Sequence, residues 1–264
     1  MTPRIASLVP SLTELVVELG LRDCLVARTG FCIHPADALH GVTKVGGTKD
    51  VNLARLQGLA PTHVLVNIDE NRLDTVNAIR AWPDAPQIVV THPNDPEDNL
   101  ALIEQMRVHF GARDGVSARA AALTTALQHE LALTQADTQP AQRVLYLIWR
   151  DPWMTVARDT YISRMIARVG WHSWPEAIGG VSGAARYPVV QGDELWLADV
   201  QQVLLSSEPY RFGAQHLDEA RRLCPNASAR LVDGEMLSWY GPRAVPGLRY
   251  LREIAAATDP GPSG

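Results

Sequence analysis

The chain has 264 residues, of which 46% are hydrophobic and 20% are charged, a composition typical of a soluble folded protein. Its 24 basic and 29 acidic residues give a net charge of −5, and no run of lysine or arginine could follow a phosphate backbone, which argues against a nucleic-acid partner. No apolar stretch of about 18 residues is present, so the sequence also argues against a membrane-embedded protein.

The amino terminus and the cysteines bear on the cellular compartment. Residues 1–11 lack the basic region, long apolar core and small-residue cleavage site of a signal peptide. Cys24, Cys32 and Cys224 form no CxxC pair and suit a reducing compartment. As it stands the sequence therefore predicts a cytoplasmic protein, and a periplasmic one only if a signal peptide was removed from its amino terminus.

The first predicted elements are a strand and a helix. Residues 4–9 form an apolar run that ends at Pro10, and Ser11 and Glu14 then have the spacing of a capping box. The helix that follows should end at Gly20. It carries one apolar stripe, made of residues at i, i+3, i+4 and i+7: Leu12, Leu15, Val16 and Leu19.

The second half of the chain repeats this order. A predicted strand at residues 143–148 is followed, after a longer loop, by a helix that Asp159 is placed to cap and Gly170 to end. A helical turn that leads into a strand also occurs twice, at residues 53–67 and again at residues 194–206. Two lobes of similar build are the simplest interpretation, each with a mainly parallel sheet and with ligand loops after its strands.

Two helices are predicted between the halves, at residues 98–110 and 116–134. The second would be roughly 28 Å long, enough to join two lobes, and one of its faces is apolar: Val116, Ala120, Leu123, Leu127 and Leu131. Polar residues 135–140 mark a boundary, and residues 258–264 form a loose tail. The predicted fold is therefore α/β, with two similar Rossmann-like lobes joined by a long rigid inter-lobe helix. The predicted domains are 1–110, a bridging segment 111–141, and 142–264.

Aromatic residues concentrate in the predicted loops. The loop at residues 149–158, longer than its counterpart in the first half, contains Trp149, Arg150 and Trp153. Exposed indoles suit a planar macrocyclic ligand, although the same rings could instead fill the core of their own lobe. Other loop aromatics are Phe31, Tyr187, Tyr210, Trp239 and Tyr240.

Cysteine, histidine and glutamate residues suggest further roles. Cys32, His34 and His92 are candidate metal ligands or a candidate nucleophile with its base, but their spacing supplies no catalytic arrangement, so structural roles stay open. Glu70 and Glu208 lie in matching acidic loops of the two halves, which suits docking to a basic partner, with solvated surface as the alternative.

The residues at 4–14, 50–67 and 143–159 resemble those of the solute-binding receptors with a helical backbone, which capture cobalamin, haem or ferric siderophores for ABC importers. The resemblance covers nearly the whole chain and is greatest to the cobalamin receptors. It implies a metal chelate held in the inter-lobe cleft, no catalytic cofactor, no enzymatic activity, a monomer, and an ABC permease as partner. The alternative is a cytoplasmic enzyme or a sensor and interaction protein built on the same fold.

The resemblance also implies roles for particular residues. Glu70 and Glu208 resemble the acidic residues that dock such receptors onto their permease. Gly46, Gly47 and Thr48 stand where similar cobalamin receptors have a tryptophan platform, which keeps haem and siderophores open as ligands. The predicted ligand-binding residues are Phe31, His34, Asn67, Trp149, Arg150, Trp153, Tyr187, Trp239 and Tyr240.

Overall fold

The computed structural model describes residues 2–135 and 141–257. The chain divides into two compact units, which we call lobe 1 (Met1–Pro93, Asp98–Leu127 and Tyr240–Pro242) and lobe 2 (Asn94–Glu97, Gln128–Trp239 and Arg243–Gly264). Residues 136–140 of the predicted boundary and the predicted tail 258–264 lie outside the described residues, and the domain bounds given above stay a prediction.

Lobe 1 contains a sheet of five parallel strands. The strands are β1 (Ile5–Ser7), β2 (Leu25–Arg28), β3 (Thr43–Lys44), β4 (His63–Asn67) and β5 (Gln87–Thr91). Their order is β3-β2-β1-β4-β5, so the winding reverses between β1 and β4. In open α/β sheets, ligands bind outside the carboxyl ends of the strands at such a reversal.

The first helix differs from the prediction at its amino end. It begins at Pro10, because proline lacks the N–H that the first helical turn leaves unpaired, and its N-cap is Val9 with no side-chain cap. The predicted capping box at Ser11 is therefore wrong. The predicted apolar stripe is fully buried, and Gly20 follows the helix with φ +77°. The helices of lobe 1 are α1 (Pro10–Glu18), α2 (Leu53–Gly58), α3 (Leu73–Arg80) and α4 (Asp98–Phe110).

The long helix α5 (Val116–Leu133) joins the lobes, because its residues through Leu127 belong to lobe 1 and those from Gln128 onward to lobe 2. All five residues of its predicted apolar face are buried. Two α/β lobes with parallel sheets and a connecting helix are thus confirmed.

Lobe 2 contains a second parallel sheet, of four strands in the order β11-β10-β6-β8, and a small antiparallel pair, β7-β9. The winding of the larger sheet reverses between β6 and β10. The strands are β6 (Gln142–Leu147), β7 (Trp153–Met154), β8 (Trp171–Ser173), β9 (Val189–Val190), β10 (Gln202–Ser206) and β11 (Ser228–Val232).

The helix cap predicted at Asp159 is also wrong. Thr160 caps the helix by accepting a hydrogen bond from Ser163 N, while the Asp159 carboxylate accepts from the backbone N–H groups of Gly179 and Gly180 at 2.8 and 2.7 Å. A loop distant in sequence thus engages the carboxylate that local spacing assigned to the helix. The helices of lobe 2 are α6 (Tyr161–Ala167), α7 (Leu217–Leu223), α8 (Gly234–Ser238) and α9 (Ala244–Ala256).

The predicted loop at residues 149–158 contains extended structure. Met154 N donates to Trp149 O at 3.1 Å, and Trp153 and Met154 of β7 pair with Val190 and Val189 of β9. Ordered backbone at this position holds side chains more firmly than a free loop would.

Candidate functional site

Two aromatic residues meet at the reversal point of the lobe 2 sheet. Trp149 follows β6 and Tyr210 follows β10, and their ring centroids lie 5.7 Å apart at 70°, an edge-to-face contact. Tyr210 N donates to Ile148 O at 3.3 Å, so the two loops are also joined through the backbone. The Trp149 side chain is still 41% exposed. A large exposed indole thus stands where the fold places ligands.

Trp149 belongs to a continuous set of rings that we call the aromatic cluster: Trp149, Trp153, Tyr210, Phe212 and His216. Tyr210 contacts Phe212 at 4.7 Å, and Trp153 stacks on Phe212 at 6.0 Å and 7°. Phe212 and His216 are 5% and 8% exposed, whereas Trp153 is half-buried and packs against the core of lobe 2. The core-packing interpretation therefore applies to Trp153, which packs on the core of lobe 2. The ring of Trp149 is exposed to solvent, as the ligand-binding interpretation requires.

Arg150 lies at the edge of the aromatic cluster. Its guanidinium group stacks over the Trp153 ring at 4.5 Å, and its Nε donates to Glu219 Oε2 at 2.8 Å. The hydrogen bond from Arg150 lowers the pKa of the Glu219 carboxyl. Arg150 is thus held in place by Trp153 and Glu219. An anionic group of a ligand would have to compete with the Glu219 carboxylate for the Arg150 guanidinium.

In lobe 1 the most exposed aromatic side chain of the predicted set is Phe31, which is 64% exposed. Its ring lies against Gly47, where an added Cβ would come within 3.2 Å of Phe31 Cε2. The absence of a side chain at Gly47 therefore leaves room for the Phe31 ring.

The turn after β4 is held by Asn67. Its Oδ1 accepts hydrogen bonds from the backbone N–H groups of Asp69 and Glu70 at 2.8 and 3.3 Å, and the residue is 3% exposed. The structure thus gives Asn67 a role in shaping the turn, and its contact with a ligand stays a prediction. Asp69 Oδ2 lies 3.3 Å from His92 Nε2, which connects the loops after β4 and β5.

The two acidic loops do not carry freely solvated carboxylates. Within lobe 1, Tyr240 Oη donates to Glu70 Oε1 at 2.8 Å. Within lobe 2, Glu208 Oε1 accepts from Trp239 Nε1 at 2.7 Å and from Ser238 Oγ at 2.6 Å. Burial raises the pKa of the Glu208 carboxyl above its ordinary value. The solvated-surface alternative for Glu208 is therefore wrong, because neighbouring donors and burial replace much of its water.

Residues 5–220 match the family described as periplasmic binding protein. The chain belongs to this family. No curated protein sequence matches it. Among the described residues of this chain, no helix combines the length and the apolar composition needed to cross a membrane.

Solved structures share the fold over nearly the whole chain. The periplasmic vitamin B12 binding protein BtuF of Vibrio cholerae is 20% identical, with a TM-score of 0.76 and coverage of 97% of this chain and 98% of that one. The periplasmic haem-binding protein RhuT from Roseiflexus sp. RS-1 is 19% identical, with a TM-score of 0.76 and coverage of 97% and 100%. A periplasmic haem-binding protein from Pseudomonas aeruginosa is 20% identical, with a TM-score of 0.76 and coverage of 97% and 93%. At these identities the likeness shows the fold and not the ligand.

The predicted metal candidates do not form a three-ligand group among the described residues. In the part of the chain that the structure describes, no three His, Cys, Asp or Glu side chains lie close enough to hold a metal ion, so Cys32, His34 and His92 do not form a metal centre together. Cys32 is fully buried with its Sγ 3.1 Å from Thr29 Oγ1, and burial raises the pKa of its thiol. A buried neutral thiol is a poor nucleophile.

Other predicted residues occupy different environments. Trp239 and Tyr240 are 7% and 5% exposed, while Tyr187 and His34 are half-buried. The sequence did not single out Phe212, His216 or Glu219, which contact Trp153, Tyr210 and Arg150 respectively. These supporting residues lie far along the chain from the tryptophan loop, and no local pattern indicates which rings they will meet.

Proposed function

We propose that this periplasmic binding protein binds a metal chelate and presents it to an ABC permease. A corrinoid such as cobalamin is the first candidate, and haem or a ferric siderophore is the next. The proposal draws support from family membership and from proteins of the same fold whose names specify vitamin B12 or haem.

The single observation that carries the proposal is the exposed Trp149 at the reversal point of the lobe 2 sheet. An exposed indole ring is costly in water unless a ligand or partner covers it. Trp149 is held by Tyr210 and by the paired backbone of residues 149–154, so little side-chain entropy is lost when a ligand covers it. A flat and rigid ring of this kind suits a flat macrocycle.

Phe31 supplies a second surface of the same chemistry in lobe 1. Its 64% exposure leaves most of the ring open to solvent, and the ring lies close to Gly47, which has no side chain to displace it. We therefore propose Phe31 as an apolar ligand contact of lobe 1.

The ligand experiment is a titration of the purified protein with cyanocobalamin, haem and a ferric siderophore, followed by intrinsic tryptophan fluorescence. We expect one of them to quench the emission with saturation, and Trp149→Ala to weaken its binding about tenfold or more, as for a central aromatic contact. Trp196→Ala is the matched control, because Trp196 lies beside Trp174 on the core of lobe 2 and outside the aromatic cluster. No saturable change with any of the three chelates would overturn the proposal.

We propose Glu70 and Glu208 as the docking residues. Hydrogen bonds from Tyr240 and Trp239 hold their carboxylates in place, so a basic partner would meet charges that lose little freedom on docking. Reversing both charges to lysine should abolish capture of the permease complex by the chelate-loaded protein while leaving chelate affinity unchanged. Retained capture would contradict this part of the proposal.

A further inference from the structure

The side chain of His216 has one neutral tautomer that fits its surroundings. Gly213 N lies 2.9 Å from His216 Nδ1, and a backbone N–H can only donate. The amide hydrogen occupies the space between these two nitrogens, so Nδ1 accepts and carries no hydrogen of its own. The other nearby acceptor, Gly213 O, lies farther away, at 3.3 Å. This geometry assigns the imidazole hydrogen to Nε2.

That assignment fixes the direction of the next hydrogen bond. His216 Nε2 lies 3.2 Å from Tyr210 Oη, so Nε2–H donates and the phenol oxygen accepts. A phenol has one hydrogen to donate as well as lone pairs that accept. Because His216 uses the accepting side, the Tyr210 O–H hydrogen is left to donate elsewhere, and accepting one hydrogen bond strengthens a hydroxyl as a donor. Among the described residues, His216 is the one hydrogen-bond partner of Tyr210 Oη.

Tyr210 is half-buried, follows β10 at the reversal point of the lobe 2 sheet, and contacts the exposed Trp149 edge-to-face. Its ring also packs against Phe212, with the ring centroids 4.7 Å apart. Tyr210 thus has a hydroxyl hydrogen to donate and contacts Trp149, the ring that we propose receives the flat face of a chelate.

Resting on the proposed function, we infer that Tyr210 is a specificity-determining hydrogen-bond donor, oriented by His216, that selects chelates bearing a carboxylate or other strong oxygen acceptor at their rim. Stacking on Trp149 requires a flat ligand face and does not depend on the chemical groups at the ligand's rim. Tyr210 adds discrimination, because a site with a positioned donor rejects ligands that leave the donor unpaired. His216 acts through Tyr210 and is a positioning residue.

The orientation of His216 can be measured without a ligand. Long-range ¹H–¹⁵N correlation spectra of the full-length protein distinguish the two neutral tautomers, and His216→Gln identifies the signal. We expect the Nε2–H pattern. The Nδ1–H pattern would overturn the proposal, because Tyr210 would then have to donate its hydrogen to His216.

The selectivity test compares haem, with two free carboxylates, against haem dimethyl ester by tryptophan quenching. Wild-type protein should bind haem more tightly than the ester. Tyr210→Phe keeps the ring and should weaken haem binding about tenfold, which corresponds to about 1.4 kcal/mol, while changing ester binding much less. His216→Gln keeps a donor toward Tyr210 and should retain the preference, whereas His216→Leu should lose it.

Tyr250→Phe is the matched control, because among the described residues the Tyr250 hydroxyl accepts one hydrogen bond, from Asp233 N, and lies outside the aromatic cluster. If wild-type protein binds cyanocobalamin but not haem, the binding of cyanocobalamin to the same variants is measured. The amide carbonyls of cyanocobalamin are then the rim acceptors, and Tyr210→Phe should again weaken binding about tenfold. Binding of no chelate overturns the proposed function and this inference together. If Tyr210→Phe leaves chelate binding unchanged, this inference alone is overturned. A visible phenolate-to-iron absorption band that Tyr210→Phe removes would also overturn it, since Tyr210 would then be a metal ligand.

Discussion

Trp239 Nε1 donates a hydrogen bond to Glu208 Oε1 at 2.7 Å. The next residue in the chain, Tyr240, donates in the same way to Glu70 Oε1 at 2.8 Å. Two consecutive aromatic residues therefore each hold one of the two glutamates that the sequence singles out for docking. Charge-assisted hydrogen bonds of this kind are shorter and stronger than neutral ones, so these carboxylates have defined positions before any partner arrives.

Replacing Glu208 with glutamine should change how stability depends on pH. Burial raises the pKa of the Glu208 carboxyl in the folded state, and the charges of Glu235 and Asp233 act in the same direction. The contribution of Glu208 to the free energy of unfolding is thus fully present below its unfolded pKa and is lost as pH rises through its folded pKa. We expect Glu208→Gln to gain stability relative to wild type as pH is raised from about 4 to about 7. Urea unfolding at several pH values measures this, and parallel curves for the two proteins would contradict it.

Replacing Glu130 with glutamine should destabilise lobe 2. Glu130 is 4% exposed in α5, and it accepts from Arg249 at 2.7 Å and Arg252 at 2.6 Å, both on α9. Burial by itself raises the pKa of the Glu130 carboxyl, but the two arginines together lower it below its ordinary value. The stabilisation is therefore present above the unfolded pKa and is lost as pH falls through the folded pKa.

We expect Glu130→Gln to lower the free energy of unfolding by about 2 kcal/mol at neutral pH, with a smaller loss in acid, since breaking a buried ion pair leaves charges uncompensated. Glu104→Gln on α4 is the control, because Glu104 is 55% exposed and its pairing with Arg107 should contribute little that is measurable. Equal effects of the two substitutions in chemical denaturation would refute the prediction.

Substituting Gly46 should cost more stability than substituting Gly41, which also has a positive φ. Gly46 has φ +103°, and an added Cβ would clash with the carbonyl oxygen of Asp50. Gly41 has φ +77° with no atom within 4 Å of an added Cβ, so alanine there meets backbone strain alone. We expect Gly41→Ala to cost about 1 kcal/mol and Gly46→Ala to cost about 2 kcal/mol or more. Thermal unfolding followed by circular dichroism compares them, and a smaller loss for Gly46→Ala would contradict the clash.

The three cysteine thiols should be unreactive in the native protein. Cys24, Cys32 and Cys224 are all buried. Burial raises the pKa of the Cys32 thiol, and burial followed by the charge of Glu194 raises the pKa of Cys224 to about 12. Because the thiolate is the reacting form, we expect an aromatic disulfide reagent to label all three only after unfolding. Rapid native labelling would contradict this, and loss of chelate binding in Cys32→Ala would reopen Cys32 as a metal ligand.

Local patterns predicted the elements that pack by their own periodicity. The apolar stripes of α1 and α5 are buried as predicted, because a 3.6-residue repeat leaves one face to cover. Helix beginnings were predicted less well. Pro10 and Thr160 displace Ser11 and Asp159 at these ends, since the deciding interactions are a proline preference in one case and a distant pair of glycine amides in the other.

The candidate site shows the same division. The sequence pointed to Trp149, Trp153 and Phe31 because aromatic residues in a loop are visible without a structure. The sequence could not assign Trp153 to the core of lobe 2 and Trp149 to the surface. Their positions depend on contacts with Phe212 and Tyr210, which lie in the loop after β10.

The amino-acid sequence by itself determined the two-lobed α/β architecture, the helix that joins the lobes and the family resemblance. Hydrophobic periodicity is local, and the order of strands and helices along the chain is repeated in the two halves, so both can be seen without a structure. Tertiary structure alone decided that Glu208 is buried against Trp239 and that the backbone of Gly213 orients His216 toward Tyr210. Such details depend on hydrogen bonds whose partners only the folded chain brings within about 3 Å of one another.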